Sequence, residues 1–278
     1  MKGGPIAEAM AGVKYKIAII SGKGGVGKTS LTVNLGAALR EKGYQVGIFD
    51  ADVHGPSVPK MLGIQSGPDL LQGPFHLNPL TSQEGIKVMS VALIWPGDKT
   101  PVLWRGPYKM KIIRQFLAAV TWEQLDFLLI DLPPGTGDEV IAIMESIPEL
   151  DGVLAVTTPQ EVATAICGKA INAARELDVP VLGVVENMGR LRCPHCGRDI
   201  YLFGEEGGGG EELAQAMEIP FLGCIPFDPR VSQAADEGVS VLSRYPDTEA
   251  VVALRMIADN IVASLGVKGE REQGCSSR

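Results

Sequence analysis

Short apolar runs rich in β-branched residues alternate along the chain with stretches in which apolar positions recur every third or fourth residue. The first kind predicts strands at Lys16–Ile20, Gln45–Phe49, Ile86–Val91, Phe127–Ile130, Val153–Thr157, Val181–Glu186 and Phe221–Ile225. The second predicts helices over Thr29–Lys42, Tyr108–Val120, Asp138–Ser146, Gln160–Leu177, Glu211–Met217 and Thr248–Leu265. Strands apolar throughout, rather than on alternate residues, belong to a parallel sheet covered on both faces. The expectation is a doubly wound α/β fold, a mostly parallel sheet with helices on both faces, whose ligands gather beyond the carboxyl ends of the strands.

Two stretches break this rhythm. Val53–Gln83 is rich in Pro and Gly, and Gly189–Gly210 carries Cys-Pro-His-Cys and ends in a run of four glycines. Both read as loops elaborated on one domain spanning 1–278, with Gly207–Gly210 a flexible connector. The polar tail from about residue 267 reads as frayed.

Composition narrows the partners. A chain of 278 residues, 45% hydrophobic and 21% charged, can bury a full core. Its net charge of −8 argues against nucleic acid and anionic membranes as partners. No segment approaches the length of a spanning helix, and MKGGPIAEAMAGVKYK has no signal-peptide core. The C-terminal GVKGEREQGCSSR has too few apolar residues to lie in a bilayer. A cytoplasmic protein is expected. Five cysteines, Cys167, Cys193, Cys196, Cys224 and Cys275, include one close pair, which in a reducing compartment favours metal binding or plain burial over a disulfide framework.

The most specific pattern is GKGGVGKTS at Gly22–Ser30, between a predicted strand and a predicted helix. A loop of the form GxxxxGK[ST] turns successive backbone amides inward around phosphate oxygens, and Gly22, Gly24, Gly25 and Gly27 leave room for that approach, with Val26 between them. Lys28 is expected on the β- and γ-phosphates of ATP, Thr29 on Mg²⁺, and Ser30 in the first helical turn. Asp131 ends the strand LLID, where a second carboxylate is needed to organise Mg²⁺. Asp50 and Asp52 follow the strand QVGIF, and one of them is placed to orient the attacking water. Beyond Asp131, the Gly135 amide in LPPGTGD is a candidate γ-phosphate sensor.

Cys193 and Cys196 admit several readings. A redox CxxC belongs at a helix start, whereas Pro194, Gly197 and the flanking Arg192 and Arg198 indicate an exposed turn. A closed zinc site needs four ligands, and the chain has no second CxxC. A metal or cluster site shared between subunits fits best, with Zn²⁺ able to take the same thiolates in aerobically purified protein. His195 reads as a bystander, Cys167 and Cys224 as small core residues, and Cys275 as part of the loose tail. His54 and His76 read as loop polar residues.

Lys23, directly after the first glycine of the loop, makes KGGVGKTS resemble the deviant Walker A motif of MinD/ParA-type ATPases. That resemblance implies a homodimer in which Lys23 reaches the partner's nucleotide. Five segments together, FDADVHGPSVPKMLG, WRGP with RQFL, LLIDLPPGTGDE, VVENM with CPHCG, and GCIPFDPRV, resemble the Mrp/ApbC iron–sulfur carrier ATPases. The resemblance implies that Asp52 polarises water and Asp131 is the Walker B residue. It further implies that Asn187 and the turn from Pro226 to Asp228 contribute to the adenine pocket, and that a [4Fe–4S] cluster bridges the paired CxxC loops. Apo iron–sulfur proteins and scaffold proteins are the implied partners. Trp104, Arg105, Gly106 and Pro107 are implied near a switch or dimer surface. Two rivals share the ATPase core: a MinD/ParA-like spatial-organisation ATPase and an ATP-dependent chaperone for nickel or zinc insertion.

Overall fold

The computed structural model describes residues 4–52, 55, 57–65, 77–90, 93, 106–203 and 208–267, with 106–109 as backbone alone. His54, His76, Trp104, Arg105, Gly207, Cys275 and the tail beyond 267 lie outside the described residues.

Among the described residues, eight strands form the main sheet. They are β1 (Val13–Ser21), β2 (Val46–Asp50), β3 (Leu80–Thr81), β4 (Lys87–Ser90), β5 (Leu125–Asp131), β6 (Gly152–Thr157), β7 (Val181–Asn187) and β10 (Phe221–Ile225). Their spatial order is β10, β7, β6, β1, β5, β2, β4, β3, and each pair is parallel except β3 with β4. The period of two along β1 shows how the sheet is covered. Ile17 and Ile19 join one buried cluster, while Ala18 and Ile20 join the other.

The first cluster packs beneath α2 (Lys28–Glu41), α3 (Val58–Met61), α8 (Pro229–Glu237), α9 (Val241–Arg244) and α10 (Glu249–Ser264). The second packs beneath α1 (Pro5–Ala9), α4 (Gly106–Ala119), α5 (Asp138–Ser146), α6 (Glu161–Glu176) and α7 (Gly209–Ala216). Each fully buried aliphatic side chain in these layers, such as Leu35 or Ile171, contributes about 1.5–3 kcal/mol through burial.

Every predicted strand and helix is present, with ends shifted by a few residues. The Pro/Gly-rich 53–83 stretch holds α3 and β3, which are too short to show a period. Helix α8 buries only Ala234, so its apolar pattern is faint, although Asp228 as cap, Pro229 at its first position and Gly238 in the left-handed region after it are strong end signals.

The Gly208–Gly210 segment is not simply a flexible connector. A Cβ at Gly208 or Gly210 would sit 2.3 or 2.8 Å from Glu186 atoms, and the Gly210 amide donates to Glu186 Oε2 at 2.8 Å. The glycines form a socket in which a buried carboxylate meets the positive end of α7. Cys224 belongs to the same contact, its thiol donating to Glu186 Oε1 at 3.4 Å from a half-buried position. Cys167 is a core residue, fully buried.

The chain leaves β1 toward β2 on one side and later reaches β6 and β7 on the other, so the carboxyl end of β1 is a topological switch point. The Gly22–Ser30 loop starts there. Among the described residues no helix is long and apolar enough to cross a membrane.

Candidate nucleotide and metal site

Gly27 caps α2 with φ +87, and a Cβ there would lie 2.1 Å from Asn187 Nδ2, so both backbone conformation and space demand glycine. No side chain caps α2, which leaves its first-turn amides and its positive end for an anion. Lys28 points into the same place. Its Nζ lies 2.8 Å from Asp131 Oδ1, yet not at a hydrogen-bonding angle, so the buried ammonium is charge-paired while its donors stay unspent. A buried donor in that condition costs about 1–3 kcal/mol, and a phosphate oxygen would satisfy it.

Asp131, fully buried at the end of β5, accepts from Thr29 Oγ1 at 2.7 Å and Thr32 Oγ1 at 2.9 Å. Thr29 and Asp131 therefore form one oxygen-rich corner, the donor set that suits Mg²⁺. Thr32 escaped the sequence reading, although three residues after Thr29 is the same face of α2.

Structure separates the two aspartates after β2. Asp50 lies beside Asp131 in register and is buried. Its carboxyl accepts from Ser90 Oγ at 3.0 Å and from the amides of Asp52 (3.1 Å) and Val58 (3.4 Å). Burial, then the Asp131 charge, push its pKa up to about 8, against the Ser90 and Asp52 hydrogen bonds and the Lys28 charge. Asp50 is thus a fastening for the following loop. Asp52 is only half-buried, accepts from the Gly55 amide at 3.3 Å, and is the member of the pair that can meet solvent.

Two predicted contacts are engaged otherwise within the chain. The Gly135 amide, at φ +102, donates to the Ser21 carbonyl at 2.9 Å, so a phosphate would have to replace that bond. Lys23 Nζ donates to Gln160 Oε1 at 2.7 Å, at the cap of α6. Gly22, Gly24, Gly25, Val26 and Ser30 run from the end of β1 into the first turn of α2, with Gly25 at φ +81 and Val26 buried.

Beside the loop opens a largely apolar cleft of about 260 Å³. Gly27, Ser30, Met61, Asn187, Met188 and Phe227 are among its walls, with Pro226 and Asp228 at the same turn. Asn187 Nδ2 donates to the Val26 carbonyl at 2.9 Å, which ties the cleft to the phosphate loop. Asp228 borders the cleft but spends its carboxylate capping α8, accepting from the Arg230 amide (2.9 Å) and its guanidinium (2.9 and 2.8 Å). Phe227 lies in the Pro226–Asp228 turn that the resemblance pointed to, while Met61 and Met188 stand in quoted segments without having been singled out.

The cysteine segment is a small hairpin. Strands β8 (Leu191–Arg192) and β9 (Asp199–Ile200) pair antiparallel, and the turn between them closes through Cys193 N to Arg198 O (2.8 Å) and Gly197 N to Cys193 O (2.9 Å). The amides of Cys196 and His195, followed by the Cys196 thiol, donate to Cys193 and hold its thiol below the ordinary range. Cys193 is half-buried and Cys196 exposed. The turn thus holds two thiols close together, and among the described residues no group of three or more metal-ligating side chains exists.

The ParA model described as NUBPL iron-transfer P-loop NTPase matches residues 12–262. A protein of Methanocaldococcus jannaschii named iron-sulfur cluster carrier protein is 46% identical over 267 residues, covering 96% of this chain and 90% of its own. A nucleotide-binding protein from Archaeoglobus fulgidus solved in complex with ADP is 39% identical with TM-score 0.72, covering 84% of this chain and 90% of its own. The cell division ATPase MinD of Pyrococcus furiosus is 26% identical with TM-score 0.68, covering 90% of this chain and 98% of its own. By its phosphate loop, its strand order and this extent of likeness, the chain belongs to the family of NUBPL iron-transfer P-loop NTPases.

Proposed function

We propose that this protein is a cytoplasmic, ATP-hydrolysing iron–sulfur cluster carrier, a single domain that works as a homodimer. Its cargo is a labile [4Fe–4S] cluster held between two protomers and passed to apo-proteins. The observation that carries this reading is the contiguity of residues 187–196. One segment lines the nucleotide cleft at Asn187 and Met188 and, a few residues later, presents Cys193 and Cys196. Two thiolates per chain and four per cubane make twofold pairing the simplest completion.

Each residue then has a task. The α2 amides and Lys28 bind the phosphates, and the apolar cleft takes the nucleoside. Thr29 and Asp131 would hold Mg²⁺, which supplies charge neutralisation on the phosphate oxygens. Asp52 orients water, and Asp50 fixes the loop that carries it. Lys23 is released from Gln160 to reach the partner's nucleotide, where a cation of this kind is worth about 10³–10⁵ in rate. The Gly135 segment exchanges its bond to Ser21 for the γ-phosphate.

Anaerobic reconstitution of the wild type beside Cys193→Ser and Cys196→Ser tests the cargo. Iron and sulfide are expected to co-elute with a wild-type dimer and to be lost from both variants. Equal retention in all three proteins would refute the cluster site, and zinc or nickel in place of iron would favour a metal-insertion chaperone.

A further inference from the structure

The segment that leaves the nucleoside cleft is stitched to both cleft walls before it becomes the cysteine hairpin. Asn187 is bonded to the Val26 carbonyl, and Met188, at φ +60, lines the cleft. Next, the Gly189 amide donates to the Ile225 carbonyl at 3.2 Å, and the Arg190 carbonyl accepts from the Phe227 amide at 2.7 Å. Ile225 and Phe227 belong to the opposite wall. The Arg190 guanidinium then joins two further elements. It reaches Asp199 Oδ1 on β9 at 2.6 Å and Glu249 Oε2 in the first turn of α10 at 3.1 Å. Arg192 repeats the pattern, at 3.2 Å from Asp199 and 3.6 Å from Glu249. Leu254, five residues further along α10, also lines the cleft.

From this arrangement we propose that Arg190 and Glu249 form the strut through which nucleotide occupancy of the cleft sets the exposure of Cys193 and Cys196. The proposal rests on the reading of these cysteines as the working tip, and it names the residues by which nucleotide regulates them. A single exposed ion pair is worth only about 0–1 kcal/mol. A guanidinium fork bridging β9 and α10 acts instead through geometry, because it fixes the angle at which the hairpin leaves the body. A nucleoside between Met188 and Phe227 biases both walls together, and the stem bonded to those walls follows. With Glu249 neutralised, both guanidiniums lose their charged partner on α10, and the orientation of the hairpin depends less on what the cleft holds.

Alkylation of the reduced, full-length protein by iodoacetamide, read cysteine by cysteine by mass spectrometry with and without saturating Mg·ATP, tests this. Cys167 is the internal control, because burial pushes its thiol up to about 12. In the wild type, Mg·ATP is expected to change the rate at Cys193 and Cys196 by about fivefold. In Glu249→Gln, which takes the charged partner from both Arg190 and Arg192, the ratio is expected to fall to near one, and in Arg190→Met, where Arg192 still reaches Glu249, more than halfway to one, with ATP affinity unchanged. A wild-type ratio of one overturns the proposal. So does a ratio in either variant that stays closer to the wild-type value than to one. The alkylation is run on metal-free protein and reads the thiols themselves, so it fails or succeeds independently of the reconstitution experiment.

Discussion

The phosphate site and the cysteine hairpin are built on opposite principles. Lys28 and Asp131 are almost wholly buried, locked by threonine hydroxyls and sheet register before any ligand arrives. The hairpin has strands of two residues, one exposed and one half-buried thiol, and partly exposed ion pairs for staples. Chemistry on a phosphate gains from preorganised charge in a dry setting, where each interaction is stronger and no reorganisation is needed. A cargo that must be released gains from exposure and weak attachment. The buried charges sit at the ends of β1 and β5, while the hairpin follows β7, whose last residue, Asn187, lines the cleft beside them.

That contrast can be broken in steps of decreasing size. Asp131→Ala leaves Lys28 as an unpaired buried charge and should cost about 3–5 kcal/mol in stability, measured by urea unfolding. A loss comparable to a surface substitution would show that the site is not prestressed in this way. Lys23→Ala should lower ATP turnover by at least about 10²-fold, or about 2.7 kcal/mol of barrier, with ATP affinity nearly unchanged. Unimpaired turnover would remove its role in trans. Cys193→Ser should change stability by less than about 0.5 kcal/mol, as surface substitutions do, and leave ATP affinity intact. A large loss of stability there would mean that the tip is part of the core and the contrast is false.

How much of this was legible in the chain depended on distance along it. The seven predicted strands are where their β-branched runs place them, because a parallel sheet buried on both faces leaves that mark in composition. GKGGVGKTS was legible for a similar reason, since left-handed backbone at Gly25 and Gly27 can be supplied only by glycine at low cost. The Gly207–Gly210 run was legible as glycine but not as purpose. For Gly208 and Gly210 the reason is Glu186, which lies on β7 and meets them only after the sheet has formed.

Local sequence therefore determined the elements, the phosphate loop, the strand-end carboxylates and the paired thiols, because period, backbone sterics and spacing act within a dozen residues. Tertiary structure decided what each of these is for. It turned Asp50 into a buried fastening and left Asp52 at the surface, and it gave Lys23 a resting partner in Gln160. It also folded 187–188 and 226–228 against the loop at 27–30 to make one cleft. Those pairings join residues as much as two hundred positions apart. They follow from strand order and register, which no local pattern encodes.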